Sequence, residues 1–309
     1  LRYVVALAQE RHFGHAAKVC HVSQPTLSVA VKKLESELGV ALFERGIHEI
    51  RVTQVGAKVV AQAQSALEAI ESVKQVAESA SDQLGRRLRI GAIYTVGPYL
   101  FPSLITNLRE RAPQMPLVVE ENFTAVLREK LRLGELDVII ISMPFTEPNV
   151  LTLKLYDEPF VTLLPADHPL AARRSLRPEQ LDGESILMLG EGHCFRDQVV
   201  EACPACATAA AGHNDVFTAA GSSLETIRHM VASGMGLTVL PSSAAGADRY
   251  SDKLLEVKPF VKPAPSREVA LAWRASFPRP KVIDVLRDAV IASHVHGVKA
   301  AARRKRAAS

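Results

Sequence analysis

Residues 20–39 read CHVSQPTLSVAVKKLESELG, and they contain a helix start, an apolar row and a helix end in that order. Ser23 is a favoured N-cap residue, and Pro25 is tolerated in a first turn, where backbone N–H groups lack intrahelical partners. The apolar residues recur at spacings of four, three and four, which is the period of an amphipathic helix. That row consists of Leu27, Val31, Leu34 and Leu38. Gly39 is suited to end the helix, so we expect one from Ser23 to about Leu38.

The residues on either side complete a DNA-binding pattern. Apolar positions within 1–8 and 13–19 predict two shorter helices, and residues 42–45 and 50–53 predict two strands around a turn at Gly46. Two helices joined by a turn, the second beginning at a polar cap, form a helix-turn-helix, and the strands form its wing. The outward positions of the second helix are small or polar, so it can enter a major groove. Those positions are Gln24, Thr26, Ser28, Val29, Lys32 and Lys33.

In the predicted wing, Arg45 and Arg51 are expected to contact phosphates, which position a protein on DNA without reading its sequence. A plain three-helix packing module has a similar pattern, so the residues alone leave DNA binding and simple packing as alternatives. We place this first domain at residues 1–53.

A long helix is expected next, over residues 54–84, with Thr53 as its cap. Its apolar stripe is longer than its own small domain can cover, which predicts that the helix pairs with another subunit. The stripe contains Val55, Val59, Ala63, Ala66, Leu67, Ile70, Val73 and Ala77.

Residues 85–309 alternate between strand and helix patterns, which predicts an α/β domain with a parallel sheet. Its length suits two lobes with a cleft between them, and ligands of such sheets lie beyond the carboxyl ends of the strands. We expect lobe I at about 85–160 and 267–296, and lobe II at about 161–266. Strands are expected at 88–93, 117–121, 136–142, 160–164, 185–189, 236–240 and 267–273, and helices at 99–110, 125–133, 222–233 and 280–293.

Composition excludes a membrane-spanning protein and gives no evidence of its own for nucleic-acid binding. The chain has 309 residues, of which 48% are apolar, and no apolar run approaches the roughly 18 residues of a membrane span. We therefore expect a cytoplasmic protein without membrane contact, preceded by a few native residues because the chain opens on Leu1. The net charge is +4, but five basic groups lie in the tail from Lys299 to Arg306. Charge alone therefore does not indicate nucleic-acid binding, and the tail is expected to be a solvated end.

Cysteine chemistry is concentrated in residues 189–206. Cys20 falls in the helix-turn-helix and is expected to be core, whereas Cys194 follows Gly192 and His193 at the expected start of a helix. A helix amino terminus and a nearby cation, Arg196, both favour the thiolate over the thiol. A thiolate attacks peroxide oxygen and becomes a sulfenic acid, which a second thiol converts to a disulfide.

Cys203 is a candidate for that second thiol, nine residues after Cys194. Phe195, Val199 and Cys203 share one i, i+4 row, so the intervening residues are expected to be helical. Nine helical residues separate the two cysteines by roughly 13 Å. A disulfide needs Cα atoms within about 7 Å, so the bond requires residues 195–202 to unwind. The pair therefore has the properties of a switch rather than of a permanent cross-link.

Three other interpretations of these cysteines stay open. Isolated cysteines are most often small buried hydrophobic residues. The Cys203-Pro204-Ala205-Cys206 run has thioredoxin-like spacing, although it follows a helix rather than a strand. With His193 the three cysteines have the ligand types of a zinc site, but the helical spacing argues against it. We therefore expect no metal.

The amino-terminal pattern resembles the LysR-type transcriptional regulators. The resemblance rests on residues 13–28, 33–35, 37–40 and 42–45, with Ser23-Gln24-Pro25 and Leu27-Ser28 the most specific. It adds Ser23 and Pro25 to the expected DNA-facing set. It also implies a winged helix-turn-helix rich in α-helix, a long linker helix and a two-lobed effector domain like the periplasmic binding proteins. Ile47 departs from the family, in which a polar residue is usual in the wing.

The cysteine segment resembles the hydrogen-peroxide-sensing members of that family. Residues 192–198 with Cys203 carry the resemblance, together with 94–100 and 223–226. It implies that Cys194 is the peroxidatic cysteine and Cys203 the resolving one. The implied polar shell around the reactive sulfur consists of Thr95, Thr124, His193, Arg196 and Asp197. Residues 205–214, including Cys206, depart from the family pattern, which leaves the identity of the resolving thiol open.

The resemblance also implies partners. These are promoter DNA, hydrogen peroxide as the signal, a thiol reductant system, RNA polymerase, and further copies of the chain in a tetramer built from dimers. We expect no cofactor and no enzymatic activity. Two alternatives belong to other classes: a LysR-type regulator of a small anionic metabolite in the cleft, and a thiol peroxidase or disulfide oxidoreductase. The helix-turn-helix disfavours the enzyme, and Cys194 at a helix start beside Arg196 disfavours the metabolite sensor.

Overall fold

The computed structural model describes residues 1–45, 50–79, 83–204, 223–245, 254–293 and 295–300. The chain forms two compact units, Leu1–Ser81 and Asp82–Ser309. Within the described ranges, no helix is both long enough and apolar enough to cross a membrane.

The first unit contains four helices and a two-stranded sheet among its described residues. They are α1 (Arg2–Glu10), α2 (Phe13–Val19), α3 (Gln24–Leu38), β1 (Phe43–Arg45), β2 (Ile50–Val52) and α4 (Gln54–Ser79). The strands pair antiparallel. The predicted helices and the two strands of the predicted wing are all present.

The predicted caps explain where these helices begin and end. The Ser23 hydroxyl accepts a hydrogen bond from the Thr26 backbone N–H at 3.3 Å, and Gly39 ends α3 with φ +68°. Thr53 caps α4 in the same way, accepting from the Gly56 N–H at 2.8 Å. Leu27 is fully buried, but Leu38 is 46% exposed, so its assignment to the inward row is wrong. Leu38 is the last residue of α3, beyond the core of this unit.

Glu35 joins α3 to the first strand of the wing. Its carboxylate oxygen Oε1 accepts hydrogen bonds from the backbone N–H groups of Leu42 at 2.8 Å and Phe43 at 3.1 Å. Because both donors belong to the chain entering β1, the strand is held against the second half of α3. This contact between residues seven and eight apart was not predicted from the sequence.

The second unit is built on a mixed sheet. Its strands are β3 (Leu88–Ile93), β4 (Leu117–Asn122), β5 (Val138–Ser142), β6 (Val150–Pro165), β7 (Thr238–Pro241), β8 (Leu255–Pro259), β9 (Ser266–Arg274) and β10 (Lys299–Ala300). Its α-helices within the described ranges are α5 (Gly97–Arg111), α6 (Thr124–Arg132), α7 (Cys194–Ala202), α8 (Leu224–Ala232) and α9 (Pro280–Ala292).

Strand β6 runs through both parts of this unit. One end pairs with β9 in the order β10-β6-β9-β5-β3-β4, and the other pairs with β7 and β8. Two separate apolar cores, one on each side, correspond to two lobes. This α/β architecture agrees with the predicted two-lobed regulatory domain.

The sheet, which was predicted to be parallel, is mixed. Among the described strands β3 pairs parallel with β4 and β5, while β9 pairs antiparallel with both β5 and β6. The physical reason is connectivity: β6 carries the chain out of the first lobe and β9 brings it back, so they run in opposite directions. The predicted strand at 160–164 is only the end of the sixteen-residue β6. The segment 185–189 forms a single bridge, between Ile186 and Leu237, instead of a strand.

Candidate functional site

Helix α7 begins at Cys194, with His193 as its N-cap residue. The preceding Gly192 has φ +91°, a conformation that glycine adopts without strain and that places the turn against the Phe123 ring. The thiol of Cys194 therefore lies at the first helical position, where unpaired backbone N–H groups and the helix dipole favour negative charge. Cys194 is a free, partly exposed cysteine.

A cavity of about 10 Å³ adjoins Cys194, which is room for about one water-sized molecule. Three segments line it: the end of β3 with the residues after it, the turn between β4 and α6, and the start of α7. The lining residues are Ile93, Tyr94, Thr95, Asn122, Phe123, Thr124, Gly192, His193 and Cys194. The fold thus brings together Thr95, Thr124, His193 and Cys194, which the sequence analysis had selected.

Two threonines line this cavity, and their hydroxyls have hydrogen-bonding capacity to spare. Thr124 Oγ1 is buried and has no hydrogen-bond partner among the described residues. Thr95 is 2% exposed, and its Oγ1 accepts a hydrogen bond from Arg267 Nη1 at 2.7 Å. Because a hydroxyl carries one proton of its own, Thr95 keeps that proton available for a second partner. A small polar molecule beside Cys194 can therefore receive a hydrogen bond from each threonine.

His193 closes one side of the cavity among aromatic rings. Its ring centroid lies 4.7 Å from that of Phe123 and 6.0 Å from that of Tyr94. Burial lowers the pKa of the His193 imidazole from its ordinary value, because the charged form loses its water. The ring is therefore neutral at neutral pH and has one donor and one acceptor nitrogen.

Arg267 is a buried cation that holds Thr95 from behind the cavity, and the sequence did not lead us to it. Its Nε donates to Glu158 Oε2 at 2.8 Å, its Nη1 to the Thr95 hydroxyl, and its Nη2 to the Thr95 carbonyl at 2.8 Å. The guanidinium carbon lies 5.3 Å from the centre of the Phe195 ring, directly after Cys194. Both side chains of the Arg267–Glu158 ion pair are completely buried. The pair joins β6, β9 and the residues before α5 behind the cavity.

Arg196 and Asp197 were predicted to surround the sulfur, and neither lines the cavity. The Arg196 guanidinium donates to the Leu189 carbonyl at 2.9 Å, and Asp197 is exposed on α7. A sequence signal for Arg267 did exist: it stands two residues before the apolar run 269–273, and Glu158 interrupts the apolar strand β6 in a similar way. Charged residues placed in buried strands usually pair with each other.

Gln198 is the second residue that the sequence analysis missed. It lies one helical turn after Cys194, and its Nε2 donates to Ser142 Oγ at 2.8 Å and to the Met143 carbonyl at 3.0 Å. Its Oε1 is buried without a partner among the described residues. These contacts fasten α7, in the second lobe, to the end of β5 in the first lobe.

Cys203 lies at the other end of α7, in different surroundings. It is 2% exposed, and its Sγ lies 3.5 Å from the Pro178 carbonyl oxygen. It belongs to the same apolar core as Phe195 and Val199, as the predicted row requires. Cys20 and Cys194 are free thiols, whereas Cys203 is disulfide-bonded. Cys206 and the segment 205–214 lie outside the described residues.

The remaining predicted residues belong to the first unit. Within α3, side chains that were predicted to face DNA are exposed, Val29 by 66%, while Ser28 is half-buried and Leu27 and Val31 are buried. The exposed ones are Gln24, Pro25, Thr26, Val29, Lys32 and Lys33, preceded by Ser23. Arg51 of the wing is exposed; the Arg45 side chain, Ile47 and the basic groups from Lys299 to Arg306 lie outside the described parts. No group of three metal-binding side chains occurs within the described ranges.

Comparisons with known proteins cover both units. The profile of the bacterial regulatory helix-turn-helix proteins of the lysR family matches residues 1–57, and that of the LysR substrate binding domain matches residues 81–294. A protein of Dickeya chrysanthemi named "Hydrogen peroxide-inducible genes activator" is 41% identical over 290 residues, which are 94% of this chain and 93% of that protein.

Solved structures agree with these matches. Full-length OxyR from Pseudomonas aeruginosa, with a cysteine replaced by aspartate, is 56% identical, with a TM-score of 0.80 over 96% of each chain. A hydrogen-peroxide-bound OxyR mutant from Corynebacterium glutamicum is 32% identical, with a TM-score of 0.64 over 94% of this chain and 90% of that chain.

Proposed function

The chain belongs to the LysR family of bacterial regulatory proteins, and from that premise we propose that it is a transcription regulator that senses hydrogen peroxide. Its relatives are named as activators of peroxide-inducible genes and as OxyR, at identities of 41% and 56% over more than nine-tenths of the chain. The observation that carries the proposal is the cavity beside Cys194, which is the size of a water molecule and is lined by Thr95, Thr124 and His193. A peroxide molecule is small and polar, and it can both donate and accept hydrogen bonds.

The first chemical step oxidises Cys194. Its thiolate attacks one oxygen of hydrogen peroxide, the O–O bond breaks, and the sulfur becomes a sulfenic acid. The leaving hydroxide takes a proton and becomes water, so peroxide is reduced by the two electrons that the sulfur loses. The Thr95 hydroxyl, oriented by Arg267, donates to the departing oxygen, and the Thr124 hydroxyl, which has no partner in the described parts of the chain, holds the other end. In this arrangement Arg267 is a positioning residue, because it acts through Thr95.

The second step forms the disulfide. The Cys203 thiol attacks the sulfenic sulfur, a second water leaves, and a Cys194–Cys203 bond results. Helix α7 contains nine residues, so its ends are roughly 13 Å apart, whereas disulfide-bonded Cα atoms lie within about 7 Å. The helix must therefore unwind, and the Gln198 contacts to the first lobe are lost. Since the reaction needs Cys203 as a thiol, the responsive state is the fully reduced protein.

The unwinding of α7 alters DNA binding by the first unit. Ser23, Gln24, Pro25, Thr26, Ser28, Val29, Lys32 and Lys33 of the α3 region contact the major groove, and Arg45 and Arg51 contact phosphates. Helix α4 exposes Ile70 by 56% and Val73 by 70%, and these residues pair with a second copy of the chain. We assign DNA binding to residues 1–53, the linker to 54–84 and regulation to 85–309.

We infer the wider assembly from membership of the family. The functional form is a tetramer of two dimers in the cytoplasm, which acts on promoters with RNA polymerase and is reset by a thiol reductant. Peroxide is consumed once per cycle as a signal and is not turned over as a substrate, so the protein is a regulator rather than an enzyme.

Counting thiols tests this function. Reduced protein, freed of reductant, is treated with one equivalent of hydrogen peroxide, and the remaining thiols are titrated and located by peptide mapping. We expect the loss of two thiols, Cys194 and Cys203, both in the natural chain and in Cys206→Ser. The matched variant Cys194→Ser is expected to lose none.

The same titration separates the alternatives. A regulator of a small metabolite with incidental cysteines keeps all its thiols, and a thiol peroxidase continues to consume peroxide when a reductant is present. Normal oxidation of Cys203→Ser with failure of Cys206→Ser would assign the resolving role to Cys206.

A further inference from the structure

The outward side of helix α3 carries one large apolar side chain among polar ones. Val29 is 66% exposed, the highest value for a large apolar side chain within the described residues 1–45 and 50–53. On the other side of the helix, Leu27 and Val31 are buried in the core of this unit, to which Val29 does not belong. Packing within the unit therefore does not account for a valine at this position.

Helix formation does not account for the valine either. A side chain branched at Cβ loses rotamer freedom in a helix, so alanine, lysine or glutamate is the better choice at an exposed helical position. The same branching gives valine one strongly preferred rotamer in a helix. Val29 therefore presents its two methyl groups in a nearly fixed direction, away from the core of the unit.

Pro25 extends this apolar surface toward the start of the helix. It is exposed and lies four residues before Val29, so the two side chains are neighbours on one side of α3. The next position of the same row, Lys33, is exposed and forms an ion pair with Glu37 at 3.9 Å. The apolar surface is therefore confined to the first two turns, which are the part of a recognition helix that contacts base edges.

The cap of α3 fixes the position of these two turns. The Ser23 and Thr26 hydroxyls are hydrogen-bonded to each other at 2.8 Å, and the Ser23 hydroxyl also accepts from the Thr26 backbone N–H at 3.3 Å. A rigid apolar surface at the start of the helix needs an apolar partner. In the major groove, the base edges offer one such group, the C5-methyl of thymine.

We propose that Val29 and Pro25 pack against the C5-methyl group of a thymine, which makes Val29 a specificity-determining residue. This contact depends on the DNA binding proposed above and specifies what one position of the bound DNA must contain. Removing the methyl group is expected to weaken binding about fourfold, the value of burying one methyl-sized group.

The test uses the full reduced chain and DNA selected by that chain from a pool of randomised duplexes. In the selected duplex each thymine is replaced in turn by uracil, which keeps the hydrogen-bonding groups of thymine and lacks only the methyl group. Dissociation constants are measured by fluorescence anisotropy at one fixed salt concentration. We expect a thymine whose replacement weakens binding about fourfold.

Substitutions of the protein assign that effect to a side chain. Val29→Ala removes both outer methyl groups, so the ratio of uracil to thymine dissociation constants at that position should fall to nearly one, whereas Val29→Ile should keep it. Lys32→Ala should weaken both duplexes equally, because a cation does not distinguish them. Val40→Ala is the matched control, since Val40 is a 38% exposed valine beyond the end of α3, and it should keep the fourfold ratio.

Each result supports or overturns the contact. If no uracil replacement weakens binding by the natural chain, or if Val29→Ala keeps the full ratio, Val29 does not read a thymine methyl group. If no duplex is selected at all, the proposed DNA binding fails and this contact fails with it. Loss of two thiols to peroxide should be unchanged in Val29→Ala, so failure of the contact is distinct from failure of the peroxide sensor.

Discussion

The two ends of helix α7 place two cysteines in opposite surroundings. Cys194 is partly exposed at the positive end, beside a water-sized cavity with two threonine hydroxyls and a neutral histidine. Cys203 is buried at the other end, among Phe195, Val199 and the rest of an apolar core. The comparison teaches that the reactivity of a thiol is set by its environment and not by residue type. In the proposed mechanism, the disulfide formed after oxidation of Cys194 disrupts the packing around Cys203.

The largest effect is expected from the buried ion pair behind the reactive end. Arg267→Leu leaves the Glu158 carboxylate buried and uncompensated, which is expected to cost about 3–5 kcal/mol of unfolding free energy. Denaturant unfolding of the full chain measures the loss. The double variant Arg267→Leu with Glu158→Leu is the control and should recover most of the stability, because two apolar side chains need no partner. Equal instability of the double variant would show that the lost hydrogen bonds to Thr95 matter more than the unpaired charge.

A smaller effect, on rate alone, is expected from the threonine that Arg267 orients. Thr95→Val keeps the side-chain shape but removes the proton offered to peroxide, so oxidation of Cys194 should slow by up to about tenfold, the value of one ordinary hydrogen bond. Stopped-flow measurement of thiol loss gives the rate, while DNA binding by the reduced protein should stay unchanged.

Two further variants show whether the slower oxidation of Thr95→Val is specific to the cavity. Thr106→Val is the matched control, because Thr106 is exposed on α5 and donates only to the Pro102 carbonyl. Arg196→Ala should slow oxidation less than Thr95→Val does, since its guanidinium bonds Leu189 outside the cavity. A larger effect of Arg196→Ala would return the electrostatic role to the residue that the sequence analysis chose.

The smallest effect concerns pH. Because burial lowers the pKa of His193 in the folded protein, the unfolded chain binds the proton more readily at pH values below its ordinary pKa of 6.5. The contribution of neutral His193 to the free energy of unfolding is therefore fully present above pH 6.5. It is lost as the pH falls from 6.5 through the lowered pKa of the folded protein. His193→Gln should flatten the stability profile between these two pKa values, measured by urea unfolding at several pH values. An unchanged profile would mean that His193 does not titrate differently on folding.

Local patterns predicted much of this molecule. The cap at Ser23, the end at Gly39, the wing strands and the start of α7 all depend on residues a few positions apart, so the sequence contains their signals. The long strand β6 and the antiparallel return by β9 depend on pairing between residues more than one hundred positions apart. The local pattern of apolar residues does not show which distant strands pair or in which direction.

The residues of the site also fall into two groups, those that the sequence indicated and those whose partners are distant in the chain. Cys194 and His193 were found because they stand together in the chain, and Thr95 and Thr124 because the resemblance indicated them. Arg267 was missed because its partners Glu158 and Thr95 are 109 and 172 positions away. Arg196, the nearest cation in sequence, was chosen instead, although the fold turns it toward Leu189.

The central claim is that a disulfide between the two ends of α7 unwinds the helix. Amide hydrogen exchange, followed by mass spectrometry in reduced and peroxide-oxidised protein, tests it most directly. Residues 195–202 should exchange much faster after oxidation, while helix α6 (Thr124–Arg132) keeps its protection. Unchanged protection of residues 195–202, with the Cys194–Cys203 disulfide present by mass, would contradict the account.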